Sequence, residues 1–234
     1  DEAHMATLTA DYVKQKNTEE QPPADRPVVI TMSEVKPTEV DWVWALRIAS
    51  GKLNLVAGEP GSGKSTFMMD AAAHVTTGTA WPDGSLGVSG NVLLLSAEDS
   101  PSDTIRPRLD AAGADCSRVH LLQAIRATNG DERHFDLTRD LEPLQFAIQQ
   151  YQPKLVGIDP LSAFLGDTDS WKDSNVRKVL SPLAKMADDY ECAIVGIMHL
   201  SKSAGRKALH RVIGSIGFTA SARVVMAVAA DPED

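Results

Sequence analysis

The chain has 234 residues, of which 43% are hydrophobic and 24% are charged, a composition typical of a soluble globular protein with one large α/β core. The formal net charge of −9 argues against a uniformly basic surface for nucleic acid. No apolar stretch approaches the roughly 20 residues of a membrane span and no signal peptide is visible, so we expect a cytoplasmic protein without a membrane partner. The cysteines Cys116 and Cys192 lack the spacing of a zinc or redox site, and Cys192 is expected to be a buried, inert thiol.

Residues 1–27 are polar, contain prolines and show no apolar periodicity. We interpret them as a flexible arm, with the four residues before Met5 as a cloning remnant. Residues 28–234 are predicted to form a single domain.

Short apolar runs alternate with helical patterns along this domain. In chain order, the predicted strands are residues 53–57, 91–96, 119–122, 154–159, 192–198 and 222–228. The predicted helices are residues 66–75, 101–112, 138–151 and 175–190. This alternation indicates a parallel sheet covered by helices on both faces. Because ligands bind beyond the carboxyl ends of such strands, we expect functional residues where the apolar runs stop.

Residues 58–65 read GEPGSGKS and match the pattern G-x-x-x-x-G-K-[ST] between a predicted strand and a predicted helix. The glycines allow successive backbone N–H groups to face a phosphate, and the helix N-terminus adds its positive end. Lys64 is expected to reach the β- and γ-phosphates, and Ser65 to coordinate the magnesium ion that bridges them. The alternative, a turn that only caps a helix, does not require the Gly-Lys-Ser ending. The predicted nucleotide-binding residues are Gly58, Glu59, Pro60, Gly61, Ser62, Gly63, Lys64, Ser65 and Thr66.

Two carboxylates stand at predicted strand ends. Asp159 ends the strand LVGID and fits the magnesium shell, although an Asp-Pro turn that starts a helix is the alternative. Glu98 follows the strand LLLSA and can orient and deprotonate a water molecule that attacks the γ-phosphate. Its alternative is helix capping, which Asp99 or Ser100 already explains.

A histidine and an arginine occupy two further strand positions. His199 follows the run IVGIM, where its ring can contact the γ-phosphate or serve only the structure. Arg223 interrupts the run SARVVMA, where burying an unpaired guanidinium is costly. We therefore expect Arg223 to meet an anion, either a carboxylate of the same chain or the nucleotide of a neighbouring subunit.

Between residues 201 and 214 the chain carries cations and no acidic residue. The cations are Lys202, Arg206, Lys207 and Arg211, joined by His210. This segment is either a local contact for a phosphate backbone or a solvated loop.

Taken in order, the segments WVWALRIASGKLNLVAGEPGSGKS, LLLSAEDSPSDTIRPRLDAAGAD, LVGIDPLSAFLGD, IMHLSKS and GSIGFTASARVV resemble the RecA-type ATPases. The chain is most similar to the RepA-like AAA ATPase family of plasmids, phages and integrated elements, kin of the hexameric replicative helicases. The resemblance covers about residue 40 to the end. It implies a three-layer RecA-like P-loop core with sheet order 5-1-4-3-2, and a homo-oligomeric ring, usually of six, with ATP between subunits.

The resemblance also implies a role for each matching residue. Lys64 and Ser65 would be the Walker A pair, Glu98 the catalytic glutamate, Asp159 the Walker B aspartate, His199 the γ-phosphate sensor and Arg223 the arginine finger. The loop with Lys202, Arg206, Lys207 and Arg211 would contact single-stranded DNA. In two respects the chain departs from the family: this loop lacks an aromatic stacking residue, and the chain stops at Asp234, where relatives continue, so we expect a truncated C-terminal end.

Three functions follow from these observations. The leading hypothesis is a magnesium-dependent ATPase, a helicase-like motor on single-stranded DNA in phage or mobile-element replication. The alternative is a KaiC-like regulatory ATPase that acts on a protein partner without DNA. A non-hydrolysing scaffold is the third, and Glu98 and Asp159 argue against it. For the adenine base, Arg106, Arg108 and Trp81 are weak candidates, since exposed arginines and a packed tryptophan are commoner.

Overall fold

The computed structural model describes residues 28–168, 172–200 and 216–229. The arm predicted at residues 1–27 and the basic segment from Lys202 to Arg211 lie outside these ranges. The chain divides into two compact units, of which the first ends at Glu39 and the second begins at Val40. The described part of the first unit is exposed throughout and contains a 3-10 turn at Met32–Glu34.

The second unit alternates strands and helices. Its described strands are β1 (Trp42–Trp44), β2 (Ile48–Ala49), β3 (Leu53–Gly58), β4 (Asn91–Ser96), β5 (Val119–Leu121), β6 (Ile125–Arg126), β7 (Glu132–Arg133), β8 (Pro153–Asp159), β9 (Ala193–His199) and β10 (Val224–Val228). Its described α-helices are α1 (Lys64–Thr77), α2 (Arg106–Ala112), α3 (Leu141–Tyr151), α4 (Asp173–Asp189) and α5 (Ile216–Ser221). A π-helical turn lies at Pro101–Ile105, and 3-10 turns lie at Cys116–Arg118 and Leu161–Phe164.

Six of the strands form the central sheet in the order β10-β3-β9-β8-β4-β5, and every neighbouring pair is parallel. The predicted parallel sheet with helices on both faces is therefore confirmed. The resemblance implied five strands, whereas this sheet carries the short strand β5 as an additional edge beside β4. The strand pairs β1–β2 and β6–β7 form separate antiparallel hairpins. Because the central strands are parallel, their carboxyl ends meet at one edge of the sheet.

Side chains of the central strands alternate between two hydrophobic cores. Leu55 packs in the core that includes residues of α3 and α4, and the next residue, Val56, packs in the core that includes residues of α1 and α2. Burial on both faces explains why these strands are continuously apolar rather than alternating. The buried side chain of Asn54 is an exception, and it exchanges hydrogen bonds with the backbone of Ala49, which ties β3 to β2.

Most differences from the predicted elements concern their boundaries. The helix predicted at residues 66–75 extends over Lys64–Thr77, because Gly63 and Gly78 adopt positive φ angles at its two ends. The helix predicted at residues 101–112 begins as a π-helical turn before it continues as α2. The sequence did not predict the two hairpins, since strands of two or three residues carry no measurable periodicity.

Two expectations from composition can be compared with the structure. Cys192 is fully buried, and this burial raises the pKa of its thiol to about 11, so the expectation of a buried thiol is confirmed. Every helix within residues 28–168, 172–200 and 216–229 is too short or too polar to span a bilayer.

The contact between β8 and α1 generates a prediction for stability. A methyl group on Gly157 would stand 2.6 Å from Sδ of Met68 and 2.9 Å from Cδ2 of Leu94. We expect Gly157→Ala to lower the free energy of unfolding by about 1–3 kcal/mol, because the new methyl group overpacks this core. Urea denaturation measures the change.

A double-mutant cycle identifies the contact. Met68→Ala alone should cost about 2–5 kcal/mol of unfolding free energy. The combination with Gly157→Ala should cost less than the sum, since the alanine methyl occupies space that Met68 leaves. Additive costs would contradict this packing.

Candidate functional site

A cavity of about 370 Å³ lies at the carboxyl edge of the central sheet. It is lined by Pro60, Gly61, Gly63, Lys64, Ser65, Thr66, Ser96, Glu98, Asp99, Arg108, Asp159 and His199. These residues come from the loop after β3, the first turn of α1, the ends of β4, β8 and β9, and α2. The parallel sheet thus brings Glu98, Asp159 and His199, which the sequence placed at strand ends, together with Lys64 and Ser65 of the phosphate loop.

The loop between β3 and α1 requires glycine at three positions for two different reasons. Gly61 and Gly63 have φ angles of 78° and 87°, a region that other residues rarely adopt. Gly58 instead lacks space, because a Cβ there would stand 2.5 Å from Oγ of Ser62 and 2.6 Å from the carbonyl oxygen of Val228. Gly63 is the N-cap of α1 and has no side chain, and the first turn of α1 contains no acidic residue. The positive end of α1 therefore faces the cavity without an acidic cap, which suits an anionic ligand.

Lys64 lies inside the curve of this loop, with only 4% of its surface exposed. Its Nζ donates to the carbonyl oxygen of Glu59 at 2.6 Å and to Oγ of Ser62 at 3.4 Å. Burial lowers the pKa of Lys64, while the negative charges of Asp159 and Glu98 act in the opposite direction. The ammonium group is thus partly desolvated and close to opposite charges, an arrangement that an anionic phosphate can complete.

Asp159 and Ser65 both line the cavity and interact with each other. The Ser65 hydroxyl lies close enough to the Asp159 carboxylate to interact with it, and the last pair of the β4–β8 ladder places Asp159 opposite Ser96. Burial is the main reason that the pKa of Asp159 is raised, and the nearby charges of Asp99 and Glu98 raise it further. A divalent cation would relieve this unfavourable concentration of negative charge. Hydroxyl and carboxylate oxygens are ligands that Mg²⁺ accepts.

Asp159 also takes part in the turn that the sequence offered as its alternative role. The Asp159–Pro160 peptide bond is cis, and the 3-10 turn Leu161–Phe164 follows directly. The two interpretations are compatible, because the backbone forms the turn while the side chain lines the cavity.

Glu98 and Asp99 follow β4 and differ in their partners. Glu98 is exposed and lines the cavity, whereas Asp99 accepts a hydrogen bond from Arg108 Nη1 at 2.7 Å. Of the two residues offered for the helix start, Asp99 and Ser100, the structure has Ser100 at the N-cap. Ser100 is the N-cap of the π-helical turn, although its side chain makes no capping hydrogen bond.

His199 is the last residue of β9, opposite Gly58 in the β3–β9 register. Its Nδ1 is buried and has no hydrogen-bond partner within the part of the chain that the structure describes. A buried polar nitrogen without a partner is unfavourable. His199 can therefore gain a hydrogen bond when a ligand reaches this end of the cavity.

Arg223 does not lie with these residues. Its backbone N–H donates to the carbonyl oxygen of Leu53 at 2.7 Å, which places Arg223 at the amino ends of β3 and β10. The β10–β3 register runs from Val224 opposite Asn54 to Val228 opposite Gly58, so the strands separate Arg223 from the loop by roughly 17 Å. Arg223 is also exposed, and the expectation that its guanidinium needs an anion because it is buried is wrong.

The candidates for base stacking occupy different environments. Trp81 is buried, stacks on Trp44 with ring centroids 4.4 Å apart and donates to the carbonyl oxygen of Val43 at 2.9 Å. Trp81 is therefore part of a packed turn. Arg106 bonds Asp110 of its own helix at 2.9 Å, and among the two arginines Arg108 alone lines the cavity. The sequence offered both arginines as candidates for contact with the base, and no pattern in it indicated which of them would line the cavity.

The three-layer fold, the glycine-rich loop and the cavity define the class of protein as a RecA-type P-loop ATPase, a class whose membership implies ATP binding. A model of the family described as AAA domain matches residues 17–205, and the chain belongs to this family.

Three relatives are identical to this chain at about a quarter of the aligned positions. The DNA repair protein RadA of Bacillus subtilis (strain 168) is 26% identical over 175 residues, which cover 72% of this chain and 33% of that protein. RadA of Mycobacterium tuberculosis (strain ATCC 25618 / H37Rv) is 26% identical over 181 residues, 75% of this chain and 33% of that protein. The circadian clock oscillator protein KaiC of Acaryochloris marina (strain MBIC 11017) is 28% identical over 130 residues, 53% of this chain and 23% of that protein. The chain thus spans about a third or less of these relatives' length.

The space around Gly58 generates a prediction for nucleotide affinity. We expect Gly58→Ala to weaken ATP binding by roughly tenfold or more, because its methyl group would displace the loop that surrounds the phosphate position. Isothermal titration calorimetry measures the affinity.

Gly87→Ala is a matched control. A Cβ at Gly87 would stand 2.2 Å from the carbonyl oxygen of Thr79, a comparable clash between residues that do not line the cavity. This variant should lose stability and keep its ATP affinity. Equal losses of affinity in both variants would show that the effect of Gly58→Ala is a general loss of folding.

Proposed function

We propose that this domain is a magnesium-dependent ATPase of the RepA-like type that couples ATP hydrolysis to single-stranded DNA within a homo-oligomeric, hexameric ring. The proposed process is the replication of a phage or other mobile element. The observation that carries the ATPase part is the convergence on one cavity of a phosphate loop, the carboxylates of Glu98 and Asp159, and His199, whose buried Nδ1 has no hydrogen-bond partner among the described residues.

The donor set suits a magnesium ion that arrives with the nucleotide. In the described residues there is no group of three or more His, Cys, Asp or Glu side chains that could hold a metal ion by itself. Ser65 and Asp159 both line the cavity and would hold Mg²⁺ together with phosphate oxygens of the ligand. The ion would neutralise phosphate charge, and its site would be incomplete without the nucleotide.

Lys64, Glu98 and His199 would have separate roles in binding and hydrolysis. Lys64 would bind the β- and γ-phosphates and give up its bond to the carbonyl oxygen of Glu59. Glu98 lines the cavity on its exposed side, where it would orient a water molecule and accept its proton. His199 Nδ1 would contact the γ-phosphate, and loss of that contact after hydrolysis would be transmitted from the end of β9 to the segment of residues 201–215.

The proposed finger role of Arg223 requires a second subunit. Arg223 is exposed at the amino edge of the sheet, whereas the cavity of the same chain lies at the carboxyl edge. An arginine in this position is accessible to the nucleotide of a neighbouring copy. Such an arrangement would place ATP between subunits of a ring.

Two relatives bear on the partner. The names of the RadA relatives refer to DNA repair, which supports DNA as the partner of this chain, and Lys202, Arg206, Lys207 and Arg211 are the proposed contacts. The KaiC relative favours the second candidate function, a regulatory ATPase that acts on a protein. Stimulation of turnover by DNA distinguishes the two.

The first test concerns hydrolysis. We expect Lys64→Ala to abolish ATP turnover, and Glu98→Gln to reduce it by about 10²–10⁴ while ATP still binds, because Glu98 would act on the water rather than on the phosphates. Lys185→Ala is the matched control, since Lys185 is exposed and pairs with Asp189 on α4. Phosphate release in the presence of magnesium measures turnover. Full turnover in Lys64→Ala would exclude the proposed site.

The second test concerns assembly and DNA. We expect single-stranded DNA to stimulate ATP turnover. We expect Arg223→Ala to reduce the rate of turnover by about 10³-fold or more. A mixture of Arg223→Ala and Lys64→Ala subunits should recover part of the activity, because each variant supplies the group that the other lacks. No recovery, with both variants assembled, would contradict an arginine that acts between subunits. If DNA stimulates turnover in none of these proteins, the regulatory function is favoured.

A further inference from the structure

The cavity contains an ion pair that the proposed mechanism does not use. Arg108 of α2 and Asp99, which follows β4, both line the cavity, and Nη1 of Arg108 lies 2.7 Å from Oδ2 of Asp99. Both side chains are partly exposed, with 42% and 26% of their surface accessible. The pair is therefore in reach of a ligand, and neither group is part of the hydrophobic core.

We propose that Arg108 is a positioning residue of the nucleotide site that neutralises Asp99 and thereby allows the cavity to accept a polyphosphate. This inference rests on the proposed nucleotide-binding function. Three carboxylates, Glu98, Asp99 and Asp159, line the cavity. A triphosphate adds further negative charge to them, and like charges at short distance repel each other strongly where water is partly excluded.

The balance of charge in the cavity depends on few cations. The lining residues include one lysine, Lys64, and one arginine, Arg108, beside the three carboxylates. Lys64 is held by the loop that surrounds the phosphate position, with its Nζ bonded to the carbonyl oxygen of Glu59. Arg108 alone makes an ion pair with Asp99 among the described residues. Without Arg108, Asp99 would stand uncompensated beside the incoming phosphates.

The backbone conformation before α2 explains why Arg108, rather than Arg106, reaches Asp99. The N–H of Ile105 donates to the carbonyl oxygen of Ser100 at 3.0 Å, a π-type bond across five residues, before α2 begins. Ile105 and Leu109 are buried, which fixes the face that α2 turns to the core. Arg106 then bonds Asp110 one turn along the helix, while Arg108 reaches back to Asp99. π-helical turns occur frequently at functional sites.

Arg106 provides a matched control because it has the same side chain and is two residues away. Its ion pair with Asp110 is exposed, and neither of these residues lines the cavity. A change of Arg106 to alanine removes the same charge from the same helix without uncovering Asp99.

The test measures the affinity of the full chain for ATP and for inorganic tripolyphosphate by calorimetry. Tripolyphosphate carries the charge of the ligand and has no base. We expect Arg108→Ala to weaken both ligands by about tenfold. Asp99→Asn in the Arg108→Ala background should restore both affinities to within about threefold of the original chain, since no charge is then left to neutralise. Arg106→Ala should bind both ligands like the original chain.

The dependence on salt is a second readout. The difference between Arg108→Ala and the original chain should shrink as ionic strength rises, because the repulsion is electrostatic. Arg108→Lys keeps the charge and should stay within about threefold of the original affinity, so this variant decides the question if Arg108→Ala fails to fold.

Each other outcome has a defined meaning. If Arg108→Ala weakens ATP alone, and Asp99→Asn does not restore it, then Arg108 stacks on the base and the inference is wrong. If Arg108→Ala binds both ligands normally, or Arg106→Ala weakens them equally, the inference is wrong while the nucleotide site stands. If the original chain binds neither ligand, the proposed function itself fails.

Discussion

The parallel register of β3, β9, β8 and β4 is the constraint on which the site depends. Hydrogen bonds between these strands place His199 opposite Gly58 and Asp159 opposite Ser96. Residues far apart in sequence thus end their strands at one edge, where the loop after β3 also begins. The register in turn fits the two hydrophobic cores, since a shift by one residue would exchange the side chains that pack in one core with those that pack in the other.

The site concentrates charge in a partly desolvated cavity. Burial lowers the pKa of Lys64 and raises the pKa of Asp159, so it disfavours the charged form of each group. The opposite charges of Lys64 and Asp159 offset part of this cost. A ligand that brings both phosphate anions and a divalent cation would satisfy the two groups together. Such sites reduce the stability of the free protein in exchange for function.

The two ends of the sheet have different proposed roles. The carboxyl edge holds the cavity, whereas the amino edge presents Arg223, which is exposed. In its proposed role, Arg223 would act on the cavity of another copy rather than on that of its own chain. A net charge of −9 also means that any affinity for DNA must come from a local group of cations rather than from the whole surface.

The sequence by itself determined the phosphate loop, the alternation of strands and helices, and the placement of Glu98, Asp159 and His199 at strand ends. Each of these depends on local properties, namely glycine spacing, apolar runs and chain order. Only the tertiary structure separated Arg108 from Arg106, placed Asp99 in an ion pair, and put Arg223 at the edge away from the cavity. Those outcomes depend on the π-helical turn before α2 and on the strand register, which join residues through space and leave no periodic pattern in the sequence.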